Sequence, residues 1–287
     1  MMFLSLISVF IRNHLDSEYF YYTCYGLILT FGIIHGANDI LILLKDSKKS
    51  LSKVMTSTIK YMSVVLLISI FFFSFSTVSL LFFILFSAYH FGEQQWTIFG
   101  SNKSPTISLF YFSFGLLIFC ILFSFNANEV SRVIFEITNF SVNEEFYQKT
   151  LVYISIINLF LLALNFKLLR KQIFHQIALF TVMLIVFFSY DLLPAFAVYF
   201  VFFHSIPSIL EQSEYLFEKS SAIQSFKLFV MKGLLYWIFA ILFLFSLYFF
   251  LSKNIDFSLS ILFSFLAAIT FPHVLVIYKM KNKIHNK

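Results

Sequence analysis

Charge is what this chain has least of. Only 12% of its 287 residues are Asp, Glu, Lys or Arg, against about 25% in a water-soluble domain. That is too few to coat a globule of this size, which excludes a soluble enzyme, a disordered protein and a nucleic-acid-binding module. Cysteine is nearly absent: Cys24 and Cys120 both sit in apolar runs, so neither a disulfide framework nor a thiolate metal site is on offer. No Pro/Gly/Ser-rich linker divides the sequence and no internal repeat is visible, so residues 1–287 read as one domain. What is abundant is apolar: 60% of residues are hydrophobic, 44 of them phenylalanine, and the mean hydropathy is +0.89. The phenylalanines have two readings, codon bias of an AT-rich genome or an aromatic lining that faces lipid or a polyene.

A helix crossing the hydrocarbon core needs about 20 mainly apolar residues. Nine windows qualify, near 19–44, 55–75, 77–97, 106–125, 149–166, 173–190, 194–212, 229–252 and 256–279. The fold class expected is therefore all-α, a polytopic transmembrane helix bundle of about nine spans. Residues 1–12 are too short to span, lack a basic region and a cleavage site, and read as an interfacial helix.

The net charge of +6 is not a nucleic-acid footprint, because its lysines cluster in alternate loops. Lys45, Lys48, Lys49, Lys53 and Lys60 follow the first span, Lys103 the third, and Lys167, Arg170 and Lys171 the fifth. Lys279, Lys281, Lys283 and Lys287 form the tail. The intervening segments are short, acidic or balanced, as with Glu129, Glu136, Glu144 and Glu145 against Arg132. Basic loops face the cytoplasm, which places the N-terminus outside, the C-terminus in the cytoplasm and the chain in the cell inner (plasma) membrane.

Of seven histidines, His14, His175 and His285 fall near span ends or in the tail. His35, His90, His204 and His273 each lie inside a separate span, the first, third, seventh and ninth. Each is six to nine residues from the cytoplasmic boundary, a depth of about 9–14 Å at the helical rise. Imidazole inside a bilayer is costly, and alone its ordinary explanation is an interhelical hydrogen bond. Four at one depth can converge on a metal, for which neutral imidazole is a common ligand.

The surroundings suit close helix approach. Gly32 and Gly36 flank His35, Ala88 and Gly92 flank His90, and Pro207 and Pro272 stand beside His204 and His273. Small residues let backbones approach, and each proline frees a carbonyl one turn earlier. Asp39, four residues after His35, and Glu93, three after His90, share a helix face with their imidazoles. Either acid could orient a histidine across to a neighbouring helix, bind metal directly, or simply be hydrated at the interface.

The motifs HGAND at 35–39, SAYHFGEQQW at 87–96, HSIPS at 204–208 and FPH at 271–273 resemble the Brp/Blh family. These are integral membrane β-carotene 15,15′-dioxygenases that supply retinal to microbial rhodopsins. The resemblance runs from the first span to the last. It implies Fe(2+) as cofactor, β-carotene and O2 as substrates, retinal as product, and His35, His90 and His204 as iron ligands. The family pattern has a second histidine four residues after the third motif's first, where this chain has Ser208. Either His273 completes the set or three histidines and water hold the iron. The segment at Gln95 also lacks an acid found in some relatives. Competing readings are a membrane haem protein, which needs imidazole pairs across a porphyrin, and a proton- or metal-translocating carrier using the same histidines and Asp39.

Overall fold

The computed structural model describes residues 5, 8, 17–45, 50–97, 104–218, 220–251 and 259–285. The interfacial helix expected over 1–12 lies outside the described residues except at Ser5 and Ser8. His14, Lys48, Lys49, Lys103, Lys253, Asp256 and Lys287 also lie outside them. All regular structure among the described residues is helical. In chain order the elements are α1 (Ser17–Leu27), a π-helical segment (Ile28–Gly32), α2 (Asp39–Leu43), α3 (Leu51–Ser74) and α4 (Ser76–Thr97). Then come α5 (Pro105–Phe125), α6 (Ala127–Thr138), α7 (Glu144–Leu164), α8 (Phe166–Ser189) and α9 (Leu192–Val198). A second π-helical segment (Tyr199–Ser205), α10 (Ile206–Leu216), α11 (Ala222–Leu251) and α12 (Leu259–His285) complete the chain.

Local chemistry explains where these helices begin. The hydroxyl of Ser50 accepts from the Lys53 N–H at 3.3 Å at the start of α3. Ser104 does the same for Ile107 at 3.1 Å, and Pro105 opens α5 where no N–H is needed. Asn143 accepts from Glu145 at 3.2 Å, with two acids in the first turn of α7. Asn139, at φ 57°, closes α6 in the left-handed conformation that asparagine tolerates.

Eight helices among the described residues are long and apolar enough to cross a membrane: α3, α4, α5, α7, α8, the continuous stretch Leu192–Leu216, α11 and α12. They coincide with eight of the nine expected windows. The first window, 19–44, differs. It breaks into α1, a π-helical segment, a tight turn and the five-residue α2. Around the break, Gly36 N–H bonds the Ile33 carbonyl and Ala37 N–H that of Ile34, each three residues back, which tightens the chain just after the wide π turn. Hydropathy alone does not register such a break, because the sequence stays apolar through it. The acidic segment between α5 and α7, expected as a loop, instead forms the amphipathic α6, and Glu129 on it accepts the Leu192 N–H at 3.1 Å.

The chain divides into two compact units: residues 1–28 with 84–207, and residues 29–83 with 208–287. In the first, α5 packs along α7 and against α8, α9 and α6. Polar clasps tie α5 to α7: Asn158 donates to the Ser113 hydroxyl at 2.9 Å, and Thr106 donates to the Asn165 side chain at 3.0 Å. In the second, α12 packs along α3 and against α2 and α11. Large apolar side chains such as Phe174 and Phe188 are about 80% exposed, as lipid-facing residues are and core residues of a soluble protein are not.

The closest backbone approach in the first unit is between α4 and α5. A Cβ on Gly92 would lie 1.9 Å from the Tyr111 carbonyl oxygen, and one on Gly115 would lie 1.7 Å from that of Ala88. A backbone carbonyl cannot yield as a flexible side chain can. Gly92→Ala and Gly115→Ala should therefore each cost at least the ~1–3 kcal/mol typical of overpacking, read as a lower thermal midpoint in detergent. Gly26→Ala, which meets nothing within 4 Å, should leave that midpoint unchanged or raise it.

Candidate metal centre

In the second unit, every residue of the HGAND motif has a specific placement. The His35 ring meets the His273 ring edge to face, with centroids 4.7 Å apart and planes at 89°. Gly36 lies against His273: a Cβ there would come 3.5 Å from Nδ1, ordinary contact. Ala37 and Asn38 lie against Gly233 of α11, where a Cβ would be 3.3 Å from the Ala37 methyl and 2.9 Å from Asn38 Nδ2. Asn38 Nδ2 also donates to the Phe229 carbonyl at 2.8 Å, both groups being buried. These contacts hold the broken helix against α11 without a long helical rod.

Asp39 closes the motif. Its Oδ1 lies 2.9 Å from His273 Nδ1, and its Oδ2 accepts the Tyr61 hydroxyl at 2.6 Å. A carboxylate oxygen accepts, so Nδ1 of His273 donates, which leaves Nε2 as the nitrogen able to ligate a metal. Of the readings open for Asp39, the one in which it reaches across to another helix's imidazole matches this geometry. Asp39 is 1% exposed, so it is not hydrated at an interface. The π segment that precedes the motif also has a partner: Trp237 of α11 donates its indole N–H to the Leu29 carbonyl at 2.7 Å.

In the first unit, the His90 and His204 rings also meet edge to face, 5.0 Å apart with planes at 79°. His204 lies within the second π-helical segment. There the Ile206 N–H reaches back five residues to the Val201 carbonyl, and the Ser205 hydroxyl donates to the Phe200 carbonyl at 2.8 Å. Such π turns occur often at functional sites. Pro207 follows directly, removing one N–H from the ladder. Gln94, one turn after His90 on α4, donates to the His204 carbonyl at 2.9 Å. Phe91 and Phe200 cover the His204 ring at centroid distances of 4.4 and 5.4 Å.

All four histidines are buried, between 2% and 6% exposed. The structure thus brings His35 together with His273, and His90 with His204. His175 is exposed. Glu93 is placed differently from Asp39: it accepts the Tyr89 hydroxyl at 3.1 Å on its own helix. Ser208 is buried and accepts from Gln212, one turn on, at 2.7 Å. Gln95 pairs with Gln176 of α8, donating to its side-chain oxygen at 3.1 Å and receiving a bond to its own carbonyl at 2.8 Å.

Sequence reasoning missed Asn38, Tyr61 and Gln94. Asn38 lay inside a quoted motif and was readable as a buried amide. Gln94 likewise lay inside the quoted 87–96 motif, although its partner is 110 residues away, whereas Tyr61, outside every motif and 22 residues from its partner, had no local signal.

Fold and site together define a polytopic helical membrane protein with buried imidazole pairs carried on interrupted or proline-bearing helices. Residues 26–281 match the family model described as beta-carotene 15,15'-dioxygenase. The chain belongs to that family and is a carotenoid-cleaving dioxygenase of the membrane. The matched residues contain all four histidines and all four quoted motifs. No curated protein and no solved structure matches the chain.

Removing the shared acceptor should cost more than removing one of its donors. Asp39→Leu strands both the His273 N–H and the Tyr61 hydroxyl, at about 1–3 kcal/mol for each buried group left unsatisfied. Tyr61→Phe removes one bond, worth about 0.6–1.7 kcal/mol within a membrane. Thermal denaturation in detergent should rank them wild type, Tyr61→Phe, Asp39→Leu in falling stability. An Asp39→Leu protein as stable as wild type would contradict the arrangement.

Proposed function

We propose that the chain is an iron-dependent dioxygenase that cleaves the central 15,15′ double bond of β-carotene with O2, giving two molecules of all-trans-retinal. His35, His90, His204 and His273 serve as the ligands of Fe(2+), Asp39 holds His273 in the ligating tautomer, and Glu93, three residues after His90 on the same helix, is a further orienting group. The observation that carries this reading is the Asp39–His273 hydrogen bond beside His35. A buried carboxylate that fixes one imidazole nitrogen and leaves the other to ligate is the usual support of a metal-bound histidine.

The donor set suits the metal. Four neutral imidazoles leave its charge uncompensated, and the buried acid Asp39 already accepts from His273 and Tyr61. When bound, ferrous iron supplies the activation of dioxygen. The chain's own residues provide the rest. Phe91 and Phe200 flank His204 with apolar surface, which excludes water from the imidazole. Gln94 holds the His204 backbone in its π turn. One oxygen atom goes to each carbon of the broken double bond, so the two halves leave as aldehydes with no further reductant.

β-Carotene is lipid-dissolved, so substrate and product both travel in the bilayer, the product to a microbial rhodopsin. The lysine-rich segments support a C-terminus on the cytoplasmic side and a location in the plasma membrane. The haem reading is disfavoured within each unit. Axial imidazoles stand on opposite faces of a planar macrocycle, whereas these ring pairs touch edge to face at 4.7 and 5.0 Å.

Retinal output and iron content in a β-carotene-producing host test the proposal. Alanine at any of the four histidines should abolish both, and Asp39→Asn should lower them by about 10–100-fold. If His273→Ala keeps both while Ser208→His raises iron content, three histidines hold the metal and His273 is not a ligand. Unconsumed β-carotene with the wild-type chain would refute the activity.

A further inference from the structure

At one end of the second unit, away from the imidazoles, α2, α10 and α12 enclose a recess of about 390 Å³. Ile42, Val276 and Met280 form its apolar wall, and Lys279, Asn282 and Lys283 stand along it. These side chains come from the point where the apolar run of α12 gives way to its basic tail. In a membrane helix that transition falls at the headgroup level. We propose that this recess binds an anionic phospholipid, with its phosphate on Lys279, Lys283 and Asn282 and the start of an acyl chain on the apolar wall.

Charge complementarity selects the occupant. The lining contains two lysines and no carboxylate. Glu218, at this end, is paired with Lys45. Lys45 in turn sits 3.6 Å over the Tyr215 ring and donates to the Tyr215 carbonyl, which fixes one wall of the recess. The last turn of a helix carries partial negative charge that opposes an anion, but two full lysine charges outweigh it. A zwitterionic lipid would gain nothing from that balance, and a soluble phosphate would leave the apolar wall uncovered. Basic pockets between membrane helices bind anionic headgroups for the same reasons.

The position gives the lipid a structural consequence. Ile42 is on α2, three residues after Asp39, and Val276 is on α12, three after His273. An occupant therefore touches both helices joined by the Asp39–His273 bond, and its binding stabilises their contact.

Purified, delipidated full-length protein can be titrated with phosphatidylglycerol or phosphatidylcholine of identical acyl chains and read by native mass spectrometry and thermal midpoint. Wild type should retain phosphatidylglycerol about 30-fold over phosphatidylcholine, as expected for two lysine contacts, and only phosphatidylglycerol should raise the midpoint. K279Q/K283Q should lose that preference, and K279R/K283R should keep it, which separates lost charge from lost folding. Equal retention of the two lipids by wild type, or undiminished preference in K279Q/K283Q, would overturn the proposal. Inorganic phosphate raising the midpoint as much as phosphatidylglycerol would also overturn it, by showing a small-anion site.

Discussion

A polar side chain sunk in hydrocarbon must find its partner in protein, and the whole arrangement around the histidines follows from that requirement. Asp39 and His273 meet it for each other, and Tyr61 takes the remaining acceptor. The first membrane segment, which carries Asp39, is broken; backbone groups at the break are answered by Trp237 and the short turns at Gly36 and Ala37, while Asn38 reaches across to the Phe229 carbonyl of α11.

The same logic recurs at His204. A π-helical turn and Pro207 disturb the regular ladder, and Gln94 and Ser205 supply bonds within it. Both π-helical interruptions among the described residues lie beside a histidine motif. Among the other described helices, α3, α5 and α7 have side-chain-capped starts, and exposed aromatic surfaces such as Phe174 and Phe188 suit lipid. The α4–α5 contact brings the helix carrying His90 within backbone distance of α5 through Gly92 and Gly115, which fixes that helix against a densely packed neighbour.

Much of this was legible in the sequence. Low charge and long apolar windows identified a polytopic helical membrane protein, and eight windows became eight membrane-length helices. Motif order identified the family, and the four histidines singled out by depth are the four that pair in the structure. Asp39 was marked as a candidate from its spacing to His35, although its bond goes to His273, 234 residues away. That choice depends on the turn at 35–38, which hydropathy does not encode. The π segments were invisible for a similar reason: YFVFFHS reads as an ordinary apolar helix, and only the ladder of bonds reveals the extra residue per turn. Glu93, marked from its spacing to His90, accepts the hydroxyl of Tyr89 one turn earlier on the same helix.

We propose that histidine nitrogens hold the iron on which carotenoid cleavage depends. X-ray absorption at the iron edge of the purified, retinal-producing protein tests it most directly. The expected result is stoichiometric iron with a first shell of nitrogen and oxygen and the outer-shell scattering pattern of several imidazole rings. Active protein without iron, or iron in a porphyrin, would contradict it.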